Sequence, residues 1–124
     1  MSNNTVTVDT LEAFAAAWNR HDIDALMAIM TDDCVFEASA GAEICGTLFV
    51  GREAVRRGFA VAWQTYPDAR WANARHFICG DRGVSEWTFS GNRDGKRIEV
   101  TGCDIFHFRD GLIAKKNSFR KQRT

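Results

Sequence analysis

No apolar run in the chain approaches the roughly 20 residues that a membrane-crossing helix needs. The start, Met1-Ser2-Asn3-Asn4-Thr5, has neither a basic flank nor an apolar core, which argues against a secretory leader. Charge of one sign is also missing: 16 Lys and Arg balance 16 Asp and Glu. Nucleic-acid binders usually carry a basic surplus or a basic face. The one basic cluster, Lys115, Lys116, Arg120, Lys121 and Arg123, reads as a solvated strand end rather than a phosphate patch. Nucleic acid and membrane are therefore not expected partners. Cys34, Cys45, Cys79 and Cys103 form no C-x-x-C pair, and no His stands at zinc-finger spacing from them. They read as reduced, mostly buried thiols of a cytoplasmic protein. No His pairing marks any of them as a nucleophile. His21, His76 and His107 are scattered without metal-ligating spacing, so neither a metal nor a cofactor is expected. There is no G-x-S-x-G, no Walker loop and no Rossmann glycine pattern.

What is there is an ordinary globular composition, 45% hydrophobic and 26% charged over 124 residues. That excludes a disordered chain and suits one domain, 1–124, with one core. Leu11, Phe14, Ala15 and Trp18 make one apolar helical face, with Asp9 and Glu12 as a capping box. Ile23, Leu26, Met27 and Met30 repeat the spacing after a break at Asn19-Arg20-His21-Asp22, with Asp22 as N-cap. Cys34 to Glu37 reads as a short strand and 38–50 as loop. A third helix runs from Gly51 to Pro67, with Val55, Phe59, Ala62 and Tyr66 on one face. From Arg70 the period becomes two, over about 70–79, 83–90, 96–109 and 112–121. Three helices followed by an antiparallel meander is an α+β pattern.

The strand 96–109 carries the most chemistry. Its even positions read Ile98, Val100, Gly102, Asp104, Phe106 and Phe108. Alternation puts them on one face, apolar except for Gly102 and Asp104. A carboxylate there must be paired, protonated or turned to a wet cavity. It is either a general acid or base or one half of a buried structural pair. Two hairpin registers are open. A three-residue loop at Arg109-Asp110-Gly111 sets Asp104 opposite Lys116, whereas a two-residue Asp-Gly turn sets it opposite Asn117. The first is favoured. It makes Asp104 and Lys116 the candidate catalytic residues, with Phe14, Trp18, Trp63 and Phe106 as walls of a closed pocket and either Trp87 or Glu86, on opposite faces of the strand 83–90, reaching into it. The apolar odd positions Cys103 and Ile105 predict that the opposite face pairs two subunits as a homodimer.

Trp87-Thr88-Phe89-Ser90-Gly91, the run Gly102 to Ile113 and the Asn19-Arg20-His21-Asp22 turn with Thr31-Asp32-Asp33-Cys34-Val35-Phe36 resemble the NTF2-like (nuclear transport factor 2) superfamily, in its SnoaL-like branch. The resemblance spans Leu11 to Lys121. It implies a cone-shaped α+β barrel of three helices on a strongly curved antiparallel sheet, with a small-molecule pocket and often a sheet-to-sheet dimer. It implies a pocket acid at Asp104, with Lys116, Ser118 and Arg120 facing inward. It also implies isomerase, cyclase, dehydratase or hydrolase chemistry without a cofactor, or ligand binding without chemistry. The positions that carry the steroid isomerases' Tyr and Asp base are Phe14 and Ala38 here, so that pair is incomplete. A steroid isomerase is not expected.

Overall fold

Thr7 ends the extended lead-in and begins the first helix, α1 (Val8–Arg20). Its backbone N–H donates to Thr10 Oγ1 at 3.2 Å, so this pair, and not Asp9 with Glu12, caps the helix. The helix buries Leu11, Phe14, Ala17 and Trp18 along one stripe. His21 closes it in the left-handed region at φ 57°. Asp22 then caps α2 (Ile23–Ala28) by accepting from Ala25 N at 3.1 Å. The computed structural model describes residues 5–124. The reading of Met1–Asn4 as lacking a leader falls outside the described residues.

The strand after α2 starts earlier than its hydrophobic pattern suggests. β1 covers Met30–Glu37, and the following loop returns as a short edge strand, β2 (Leu48–Val50). Helix α3 (Arg52–Thr65) follows Gly51 and stops before Pro67. Four long strands complete the chain: β3 (Arg70–Cys79), β4 (Arg82–Arg93), β5 (Lys96–Arg109) and β6 (Leu112–Arg120). They form the expected meander. The sheet order is β2-β1-β6-β5-β4-β3. The β1–β6 contact is parallel, an arrangement that no turn in the sequence announces. The sheet is open, with β2 and β3 as edges.

The helices cover the inner face of this sheet. Phe14, Trp18, Phe59 and Phe106 pack as edge-to-face rings with centroids 4.9–6.3 Å apart. Leu26, Met30, Val55 and Ile113 are fully buried beside them. A smaller cluster of Ala69, Trp87, Phe89 and Val100 continues the core towards the C-terminal end of the sheet. Aromatic burial on this scale stabilises by about 1.5–3 kcal/mol per ring. Trp63 and Trp71 pack against both clusters and join them, Trp71 lying 5.0 Å from Trp18 and 5.1 Å from Phe89 between ring centres.

Candidate functional site

The β5–β6 turn decides which side chains reach the interior. Asp110 and Gly111 have φ 55° and 76°, the paired positive angles of a two-residue hairpin turn. Arg109 pairs with Leu112 accordingly. The ladder then slips: His107 pairs with Lys115 while Phe108 pairs with Ile113, leaving Ala114 as an extra residue. Beyond this bulge Asp104 lies opposite Ser118, Phe106 opposite Lys116 and Gly102 opposite Arg120. The expected three-residue loop, with Asp104 directly opposite Lys116, is thereby corrected. Yet the bulge restores even-to-even pairing, so Lys116, Ser118 and Arg120 stay on the face of Asp104.

Asp104 and Lys116 are each only 6% exposed. Lys116 Nζ stands 3.1 Å from Asp104 Oδ1 and donates to Ser118 Oγ at 2.7 Å. The Ser118 hydroxyl in turn donates to Asp104 Oδ1 at 2.6 Å. The other carboxylate oxygen, Oδ2, accepts from Trp87 Nε1 at 2.9 Å. Every partner is charge-assisted, which is what a carboxylate buried among rings requires. Gly102 makes the Trp87 contact feasible, because a Cβ there would lie 2.5 Å from the indole ring. The ammonium also sits over Phe36 at 4.7 Å and Trp18 at 5.0 Å from their ring centres. Burial pushes the Lys116 pKa down from its ordinary value, with the charge of Asp104 pulling the other way.

A cavity of about 250 Å³ lies beside this network. An engineered cavity of about 150 Å³ holds benzene, so a molecule of one to two rings fits. Of the residues expected to line a pocket, Trp18, Trp87, Lys116, Ser118 and Arg120 do so. Phe14, Phe106 and Asp104 do not; they border a separate cleft of only about 20 Å³ behind Trp18, Trp87 and Lys116. Trp63 borders neither, packing on Trp18 and His21 and donating Nε1 to Trp18 O at 3.3 Å. The pocket walled by Phe14, Trp63 and Phe106 around Asp104 is therefore corrected. Asp104 stands behind the wall, and Lys116 and Arg120 are the charged groups that face the cavity.

The walls that sequence reasoning missed are Phe36, Phe49, Tyr66, Trp71 and Phe89. Phe89 was in plain view on the Ser85–Trp87–Phe89 face of β4. Trp71 was hidden because β3 breaks its alternation between Ala72 and Arg75, with Asn73 at φ 57°. Phe49 reaches the cavity through β2, which gives no periodic signal of its own. Arg120 stacks its guanidinium 4.4 Å from the centre of Phe89, at the cavity's edge. Among the described residues no cluster of His, Cys, Asp and Glu is arranged to hold a metal ion.

The sequence matches the SnoaL-like domain over residues 11–116. The chain belongs to the SnoaL-like domain family. Solved structures agree on the fold of this SnoaL-like chain. A candidate polyketide cyclase from Xanthomonas campestris superposes with a TM-score of 0.80 at 20% identity, covering 92% of this chain and 89% of its own. A hypothetical protein of ketosteroid isomerase-like fold from Catenulispora acidiphila, in complex with trimethylamine, gives 0.79 at 20% identity and covers 92% and 86%. TerC, co-crystallised with polyporic acid, gives 0.76 at 18% identity and covers 92% and 90%. No curated protein matches the sequence. The SnoaL-like fold is thus shared with these structures. Among the described residues no helix is long and apolar enough to cross a membrane.

Proposed function

We propose that the chain binds a small, largely aromatic or apolar organic molecule in the 250 Å³ cavity and exchanges a proton with it. The observation that carries this is the buried Asp104–Ser118–Lys116 chain, which ends at the cavity wall. A desolvated lysine is a suitable base, because burial brings its neutral form nearer to working pH. With a carbonyl compound bound and the resting ammonium proton of Lys116 passed through Ser118 to Asp104, the α C–H bond breaks, its proton passes to Lys116 Nζ, and the electron pair settles on the carbonyl oxygen as an enolate. Returning the proton to another atom of the enolate is the isomerase or cyclase step. Asp104 and Ser118 orient the amine and balance its charge. The ligand-bearing structures of SnoaL-like fold, with trimethylamine and polyporic acid, support a cavity used for small molecules.

The test is deuterium exchange into 2-tetralone in heavy water, followed by proton NMR. The expected result is α-deuteration faster than in buffer, reduced to the buffer rate by Lys116→Met. A second reading is binding without chemistry. It is favoured by the full occupancy of both Asp104 oxygens by Trp87, Ser118 and Lys116. Ketone binding with no accelerated exchange would select it. The four unpaired thiols support a cytoplasmic setting, and the large exposed apolar side chains on the outer face of the sheet support a homodimer.

A further inference from the structure

We infer that the molecule taken by this cavity is an anion, an aromatic body of one or two rings carrying a carboxylate, phenolate or enolate oxygen that seats against Arg120. The inference rests on reading the cavity as a small-molecule site. Two cations, Lys116 and Arg120, line the cavity, and among the described residues no Asp or Glu does. The nearest carboxylate, Asp104, is walled off and committed to its own donors. One negative charge therefore stands against two positive ones. Lys116 has that counter-ion within reach, whereas among the described residues no carboxylate comes within 4.0 Å of Arg120.

Arg120 is held for such a role rather than left loose. Its guanidinium lies on Phe89, and its one side-chain hydrogen bond among the described residues is a long one, 3.4 Å, to Ser39 Oγ. Most of its five N–H donors thus remain free to grip an oxygen pair. Its pairing with Gly102 across the strands aims it inward beside Ser118. Trp18 Nε1 is also buried without a hydrogen-bond partner among the described residues, on a residue that borders both this cavity and the 20 Å³ cleft behind it. A ligand oxygen gives the Arg120 donors an acceptor, and a hydrocarbon gives them none.

The experiment titrates the purified full chain by calorimetry with three probes of one shape: 2-naphthoate, neutral 2-naphthamide and the cation 2-naphthylmethylammonium. 2-Naphthoate is expected to bind roughly tenfold or more tighter than 2-naphthamide, as for a hydrogen bond to a charged group. Arg120→Gln should erase that preference, so that within the variant 2-naphthoate binds no tighter than 2-naphthamide, and Arg120→Lys should recover part of it. Added salt should weaken only the naphthoate. Equal binding of acid and amide, or a preference for the ammonium, overturns the anion inference while leaving a small-molecule site. Failure of all three to bind overturns the inference together with the reading it rests on.

Discussion

At the residue scale the buried pair is asymmetric, and the asymmetry can be measured. Asp104→Asn leaves the Lys116 ammonium among Trp18, Phe36 and Phe59 without a counter-ion. We expect a loss of about 3–5 kcal/mol in denaturant unfolding. Lys116→Met leaves Asp104 with two donors, Trp87 and Ser118, and should cost less, about 1–3 kcal/mol. The double variant should lose less than the sum of the two, and strict additivity would show that the pair does not interact. The pH dependence follows from Lys116. Its folded pKa lies below the ordinary 10.5, so the unfolded chain binds the extra proton between those two values. Stability from this group therefore rises as pH climbs through that window towards 10.5, and the penalty is fully present below the folded value. In melts of Lys116→Met this rise should be missing; an unchanged profile would contradict the burial effect.

At the scale of elements, β5 and β6 build the site by register, and one glycine keeps the register useful. Gly102 faces Trp87 across the β4–β5 ladder, where any Cβ would press on the indole and on Phe119 O, 2.4 Å away. Gly102→Ala should therefore destabilise by about 1–3 kcal/mol through overpacking. It should also pull Trp87 Nε1 off Asp104 Oδ2. The indole N–H resonance of Trp87 is the readout, and an unmoved signal would refute the account. Much of this was legible beforehand. Asp104 stood out as the lone carboxylate on an apolar face, and Lys116, Ser118 and Arg120 share its face because alternation survives whenever pairing stays even-to-even. The turn itself was not legible in full. An Asp-Gly pair signals a two-residue hairpin, but nothing in Leu112-Ile113-Ala114 announces the bulge that moves Ser118 opposite Asp104.

At the scale of the whole molecule the outer face of the sheet carries large exposed apolar side chains among its charges. Phe77, Val84 and Ile105 lie in one cross-strand row, and Arg75, Glu86, Cys103 and Phe119 in the next. Phe77 is 54% and Phe119 48% exposed, well beyond what isolated surface rings need. Arg75 and Glu86 on the same face suit a two-fold axis, across which each meets the other's opposite charge. We expect light scattering on a sizing column to give twice the 13.9 kDa chain mass, and Phe77→Glu with Phe119→Glu to give the monomer. A wild-type monomer at micromolar concentration would refute this.

Local rules alone determined the three helices, the four long strands and the face on which Asp104 lies. These depend on period, caps and breakers such as Asp22 and Pro67, which act within a few residues. Tertiary structure decided the rest. The parallel seat of β1 beside β6 brings Phe36 opposite Lys116, a pairing between segments 80 positions apart that no short-range pattern encodes. The break in β3 turns Trp71 inward, and the bulge at Ala114 selects Ser118 as Asp104's partner. Whether a packed ring also walls a cavity depends on where the assembled sheet and helices leave space between them. That is set by tertiary packing, so Phe89 and Trp71 border the cavity while Phe14 and Trp63 do not.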